Sequence, residues 1–280
     1  MLLAVTIRDA LRSGETCLHE AAVESARVDA ELLLSRALGV SRIDLRTNFG
    51  RELRSDELRR YGGLLERRAH REPLAYVLGE WGFRRLTLVV DARVLVPRPE
   101  TEVVVERCLE HIAETAAPRV LDVGTGSGAI ALAIADEHPG ALVTGIDASL
   151  DALAVARENA SRAGLDVELA RWDLFEGLPE GPWDLVVSNP PYVRPDEIEG
   201  LAPEVGDWEP RAALVGEGTT EAVVAGAAAV LRPGGAIVLE TAAADARRIA
   251  GLLEGGDYRD VRITSDLAGR DRVVEGTIDT

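Results

Sequence analysis

The stretch RVLDVGTGSGAIALAIADE, Arg119–Glu137, decides the fold. Its first residues are an apolar run of strand length. Gly124, Gly126 and Gly128 follow directly, and then a segment rich in alanine and isoleucine with no breaker. A buried strand, a tight glycine turn and a helix are expected, because glycine admits positive φ and lets a ligand approach the backbone. The scheme repeats in ALVTGIDASLDALAVARENASRAG, residues 141–164. VELARWDLF (167–175), WDLVVSNPPYV (183–193) and AAVLRPGGAIVLET (228–241) each supply a further strand. Strands alternating with helices predict an α/β domain with a mostly parallel sheet covered on both faces. YRDVRIT (258–264) and DRVVEGTI (271–278) lie too close for a helix between them, so they should pair antiparallel.

Upstream the pattern changes. Residues 1–75 read as a helical domain, with apolar residues at helical spacing in VDAELLLSRAL (28–38) and DELRRYGGLLERRA (56–69). Gly39 should stop one helix, Ser41 and Ser55 should cap two others, and Pro73 should close the region. Residues 76–96 form a connector, with β-branched runs around Asp91-Ala92 that predict a β-hairpin linker. Residues 97–280 are then the catalytic domain, opening on a helix with Pro99 near its start.

Composition bounds the function. The 280 residues are 46% hydrophobic and 28% charged, a globular balance. No apolar run reaches the ~18–20 residues that span a bilayer, and the start has no basic leader or cleavage signal. Two distant cysteines, Cys17 and Cys108, exclude a disulfide framework and a cysteine-rich metal site. A cytoplasmic location is expected. The net charge is −17, and all 31 basic residues are arginine. Residues 1–75 carry 13 Arg against 12 acids, so the excess acid lies downstream. An acidic body repels a phosphate backbone, so direct nucleic-acid binding is not expected. His19, His70, His111 and His138 are scattered and expected at the surface, and no metal is called for.

The glycine turn is G-x-G-x-G, not the dinucleotide spacing G-x-G-x-x-G. Asp147 ends the next strand, where an acid meets ribose hydroxyls or, alternatively, caps the following helix. This combination resembles the class I S-adenosylmethionine-dependent methyltransferases, whose sheet is Rossmann-like and seven-stranded. Under that resemblance Asp173 lies near the adenine, with Leu174 and Phe175 packing on the base or simply in the core. Asp122 is placed to orient the methionine end or the turn itself.

NPPYV, Asn189–Val193, is the most specific signal. It follows an apolar strand, at the carboxyl end where open α/β sheets bind ligands. Two prolines fix the backbone and remove two N–H donors. The side-chain oxygen of Asn189 and the carbonyl of Pro190 can each accept a hydrogen of a planar NH2 group, and Tyr192 can pack on its plane. Such a tetrad is shared by methyltransferases of adenine, of cytosine and of glutamine side chains. It gives the reaction class and leaves the substrate open.

Over nearly its whole length the chain resembles the bacterial release factor glutamine methyltransferases, the PrmC/HemK family. REPLAYVLGEWGF (71–83), VLVPRPETE (94–102), the glycine turn, SNPPYV, Glu209-Pro210 and DLAGRDRVVEG (266–276) match its motifs in order. The resemblance implies methylation of the glutamine of the Gly-Gly-Gln loop of class 1 peptide chain release factors; the arginine-rich N-terminal helices are read either as a docking surface for that substrate or as a solvated helical face, and a monomer is expected. It assigns S-adenosylmethionine contacts to Gly124, Thr125, Gly126, Ser127, Gly128, Asp147, Asp173, Leu174 and Asn189, and to Arg98, Glu100 and Thr101. The last three could equally mark a well-capped helix start. It assigns glutamine contacts to Asn189, Pro190, Pro191 and Tyr192, with Asn189, Pro190 and Tyr192 catalytic. Thr219-Thr220 and Thr241-Ala242 depart from the family's usual loops. The rivals are a ribosomal-protein glutamine methyltransferase, a DNA adenine methyltransferase and a catalytically silent cofactor sensor.

Overall fold

In the computed structural model, which describes residues 5–279, seven strands form one sheet in the order β5-β4-β3-β6-β7-β9-β8. Two further strands stand first in the chain: β1 (Glu80–Phe83) and β2 (Leu86–Val89) make an antiparallel hairpin. The sheet is built from β3 (Arg119–Val123), β4 (Leu142–Asp147), β5 (Glu168–Arg171), β6 (Trp183–Ser188), β7 (Leu231–Glu240), β8 (Tyr258–Ser265) and β9 (Asp271–Ile278). Strands β3 to β7 run parallel; β9 pairs antiparallel with β7 and with β8. The α/β class, the sheet and the antiparallel final pair are as the sequence predicts.

The strands of the sheet centre are buried on both faces, so they are runs of Val, Leu and Ile rather than alternating patterns. Val120, Leu185, Val187 and Val238 face one apolar layer; Leu121, Val186, Ile237 and Leu239 face the other. The first layer also takes Ile130, Leu132 and Ile134 from the helix after β3, and Val104, Cys108 and Ile112 from the helix Thr101–Ile112. Phe83 and Leu88 pack in the same layer. The hairpin is therefore part of this unit's core rather than a free connector. It turns at Arg84-Arg85, with Arg84 at φ +49°, earlier than the Asp91-Ala92 centre that the β-branched runs suggest.

The chain divides into two compact units. One runs to Gly79 and also takes in Leu201–Trp208; the other comprises Glu80–Gly200 and the residues from Glu209 onward. The expected boundary at 75 thus moves by one short helix. Pro73 does not close the region but stands at the N-terminus of the helix Leu74–Leu78. The inclusion of Leu201–Trp208 has an electrostatic basis. Arg71 donates twice to Glu204, at 2.7 and 2.6 Å, and Arg68 donates to Glu204 at 2.8 Å and to buried Asp29 at 2.7 Å. Burial alone would raise the Glu204 carboxyl, but the two guanidiniums outweigh it and hold it at about 2.

In this helical unit the capping signals were legible. Gly39 closes Ala26–Leu38 in the left-handed conformation, and Ser41 and Asp44 form a reciprocal capping box. Ser55 is not a cap: it is the first residue of the helix Ser55–Ala69, and Glu57 takes over by accepting from the Arg54 backbone N–H at 2.9 Å. Cys17 and Cys108 are both free. No helix among the described residues is long and apolar enough to cross a membrane, and no group of residues among them could hold a metal.

Candidate functional site

The carboxyl ends of β3, β4, β5 and β6 open onto one cavity of about 500 Å³, within the range usual for small-molecule sites. Strand order explains its place: β3 sends its chain toward β4 on one side, while β6 lies on the other, and a crevice opens where the connections part.

The glycine turn forms its floor. Gly124 and Gly126 adopt φ +74° and +56°, which a side chain would strain. Gly124, Thr125, Gly126 and Ser127 line the cavity, and Gly128 does not. A Cβ on Gly128 would meet Leu132 and Ala156 at 3.1 and 3.3 Å, so this glycine serves helix packing. Asp147 lines the cavity too. One of its oxygens accepts from the Gly126 N–H at 2.9 Å and the other from the Ser149 N–H at 2.8 Å. The helix cap is Ser149, which accepts from Ala152 N–H, so Asp147 is not needed for that role. Each Asp147 oxygen keeps a lone pair for a ligand hydroxyl. Burial pushes its carboxyl up, and the backbone N–H groups only partly offset this.

Asp122 is buried below the turn, 1% exposed. Its Oδ2 accepts from Thr125 Oγ1 at 2.7 Å and from Ala131 N–H at 3.2 Å, while Oδ1 has no partner. Burial raises this carboxyl to about 7. Asp122 does not line the cavity, so it holds the turn from behind, and the acceptors that face a ligand are Asp147 and the backbone of the turn. The donor set therefore fits S-adenosylmethionine, which carries an ammonium, a sulfonium and a ribose diol.

Trp172, Asp173, Leu174 and Phe175 make the adjoining wall. Asp173 caps a short turn by accepting from Phe175 N–H at 3.0 Å, so it has a structural task as well. Trp172 lies in the cavity wall with its indole N–H fixed on Gly177 O at 2.7 Å. The sequence reading passed over it, although an indole beside the predicted adenine acid was signal enough.

Asn189, Pro190 and Pro191 line the opposite wall, at the end of β6. Ser188 supports them from below, donating to Val123 O at 2.7 Å. Thr219 donates to Gly216 O at 2.7 Å and to Pro191 O at 3.3 Å, so the departure Thr219-Thr220 pins the tetrad loop. Tyr192 lies outside the cavity's lining and is half-buried; burial first, then the nearby Glu240 charge, push its phenol up to about 12.

Arg98 and Thr101 line the cavity, whereas Glu100 points elsewhere and pairs with Arg270 at 2.8 Å. Glu100 offers no side-chain cap to the helix that follows. Arg98 is bonded to Glu209, which is buried and also accepts from Val96 N–H at 3.3 Å. Glu209 was visible in the sequence only as half of a Glu-Pro pair. Of the histidines, His19 and His70 are exposed, while His111 and His138 are half-buried, each with one ring nitrogen shielded from solvent.

With this geometry in place, comparison with known proteins is decisive. Residues 9–79 match the model of the PrmC N-terminal domain, and residues 103–203 match the methyltransferase small domain. A release factor glutamine methyltransferase of Geobacter sulfurreducens is 43% identical over 277 residues, covering 98% of this chain and 97% of the relative. The chain belongs to the release factor glutamine methyltransferase family. Members from Caulobacter vibrioides and Deinococcus radiodurans are 40% and 42% identical, over 98% and 96% of this chain and 97% of each relative. Among solved structures, a SAM-dependent O-methyltransferase from Thermotoga maritima shares the fold, at 14% identity and TM-score 0.50, over 67% of this chain and 68% of that one. A 16S rRNA methyltransferase of T. thermophilus, in complex with AdoMet and guanosine, does so at 19% identity and TM-score 0.50, over 71% of this chain and 49% of that one. As a family member, the protein is an S-adenosylmethionine-dependent methyltransferase.

Proposed function

We propose that the protein methylates the side-chain amide nitrogen of the glutamine in the Gly-Gly-Gln loop of class 1 peptide chain release factors. The observation that carries this reading is that Asn189-Pro190-Pro191 and the glycine turn line the same cavity, in a chain matching its relatives end to end.

S-adenosylmethionine, when bound, supplies a methyl group activated by the sulfonium. Asp147 would hold the ribose, the Gly124–Ser127 backbone, braced from behind by Asp122, the methionine end, and Trp172 with Leu174 the adenine. An amide nitrogen is a poor nucleophile, because its lone pair is delocalised into the carbonyl. Asn189 Oδ1 and Pro190 O accept its two hydrogens, which returns electron density to nitrogen and fixes its direction. Tyr192, outside the cavity's lining, would reach the amide plane only if its side chain turned inward when substrate binds. Holding reactants in line is worth up to ~7–11 kcal/mol in favourable cases, so orientation carries most of the task. The surplus amide proton would pass to water after transfer, and S-adenosylhomocysteine would be the other product.

The helical unit is proposed as the docking surface for the release factor body, with the protein acting as a cytoplasmic monomer. Arg59 is exposed on the helix Ser55–Ala69, whereas its neighbour Arg60 is committed to Ala37 O at 3.0 Å. Arg59→Glu should therefore raise KM for the whole release factor and leave a Gly-Gly-Gln peptide unaffected. Equal effects on both substrates would remove the docking role.

The reading is tested by incubating the purified protein with labelled S-adenosylmethionine and recombinant release factor, and locating the methyl by mass spectrometry. One methyl on the Gly-Gly-Gln glutamine, absent from a glutamine-to-alanine loop variant, is expected. Transfer to a ribosomal protein or to duplex DNA instead would keep the chemistry and overturn the substrate.

A further inference from the structure

Glu240 is the last residue of β7, and the final parallel pair before it joins Leu239 to Ser188. It therefore stands one step along from that pair, beside Asn189. Glu240 is 1% exposed and Thr101 4%. The Thr101 hydroxyl donates to Glu240 Oε2 at 2.6 Å. Thr101 lines the cavity, and Glu240 lies behind it. The other groups facing Glu240 are Arg98 and Glu100 from the segment before the helix, Arg272 from β9, and Tyr192 from the tetrad loop. Arg98 is already committed to Glu209 and Glu100 to Arg270, and Arg272 donates to Thr241 O.

A hydroxyl has one proton and two lone pairs. While Glu240 is a carboxylate, the Thr101 proton is spent on it. Toward the cavity Thr101 can then only accept. A protonated Glu240 reverses the pair: the acid donates to Thr101, whose own proton is free to turn into the cavity. Burial raises the Glu240 carboxyl to about 7, against the lowering effect of Thr101 and Arg272, so the two states exchange near neutrality.

We propose that Glu240 is a positioning residue of the transfer site, which acts through Thr101 to make this cavity wall an acceptor for an N–H group of a bound ligand. The proposal rests on the methyltransferase reading. Both hydrogens of the side-chain amide go to Asn189 and Pro190, so two N–H sources of that reading are left, the ammonium of the cofactor and a backbone amide of the glutamine loop, and the test separates them.

The full-length protein is compared as Thr101→Ser, which keeps the hydroxyl, and Thr101→Val, which replaces it at nearly equal volume. Each is made with Glu240 present and with Glu240→Gln. Cofactor Kd is measured by calorimetry, and kcat and KM with a Gly-Gly-Gln peptide, on both sides of neutral pH; thermal unfolding confirms that each variant is folded. A ratio of Ser to Val variants cancels the titration of Asp122 and Asp147. If the ammonium is the partner, Thr101→Val weakens cofactor binding about tenfold relative to Thr101→Ser. If the backbone amide is, the cofactor Kd is equal and kcat/KM falls about tenfold. In either case the ratio shrinks as pH falls below neutrality, and with Glu240→Gln it no longer varies with pH. Equal Kd and equal kcat/KM for the two Thr101 variants would overturn the proposal, as would a ratio whose pH dependence survives Glu240→Gln. If Glu240→Gln does not fold, the Ser-to-Val comparison decides alone. Wild-type transfer to the peptide is the control that tells failure of this proposal from failure of the methyltransferase reading.

Discussion

The side-chain amide of Asn159 donates to Ser127 O at 2.9 Å, inside the glycine turn that lines the cavity. The same side chain donates to Val89 O at 3.1 Å and accepts from Val89 N–H at 2.7 Å. Asn159 is 1% exposed, so one residue of the helix after β4 joins the hairpin to the turn. Asn159→Leu would leave three buried backbone groups without partners, at ~1–3 kcal/mol each before relaxation. A loss of about 2–4 kcal/mol in denaturant unfolding is expected, together with weaker S-adenosylmethionine binding in calorimetry. Unchanged values in both would show that the turn holds its shape without Asn159.

Under the proposed mechanism, Asn189→Ala removes the acceptor of one amide hydrogen and spares the glycine turn. Loss of one such oriented group typically costs ~10²–10³ in kcat. The expected result is a fall of that size in single-turnover rate with the fold intact. A rate within about threefold of wild type would exclude Asn189 from the transfer step.

Stability should fall as pH rises through the neutral range. The Asp122 carboxyl is raised from 3.8 to about 7, so the native state holds its proton where the unfolded chain has lost it. Native protons then exceed unfolded ones between these values, and the slope of stability against pH is negative. The shift corresponds to about 4 kcal/mol at most, fully lost above about pH 7. Asp122→Asn should make the profile shallower in urea unfolding between mildly acid and neutral buffer, leaving the share of Glu240, whose carboxyl is likewise raised to about 7. The same slope in variant and wild type would place the titration elsewhere.

Arg98→Met should destabilise the protein by about 2–4 kcal/mol, because it strands buried Glu209 without its guanidinium. The double variant Arg98→Met, Glu209→Gln should recover part of that loss, since a neutral amide costs less to bury and still accepts from Val96 N–H. A double-mutant cycle in urea gives the coupling. A coupling near zero would mean that Arg98 and Glu209 contribute independently.

The sequence by itself determined the class of fold and named the glycine turn, Asp147 and Asn189-Pro190-Pro191 that line the cavity. Local chemistry fixes these: Val120, Leu121 and Val123 directly before the glycine turn read as a buried strand, and glycine at Gly124 and Gly126 permits the φ that the turn needs. Asn189-Pro190-Pro191 constrains its own backbone, so its meaning survives without neighbours. Tertiary structure alone decided the support behind these residues. Asn159 meets Ser127 across 32 positions, Glu209 meets Arg98 across 111, and Glu240 meets Thr101 across 139. No periodicity encodes such pairs, because a polar side chain in a helix or at a strand end reads alike whether water or a buried partner satisfies it. Only the packed sheet, by excluding water, obliges each of these groups to find a partner within the protein.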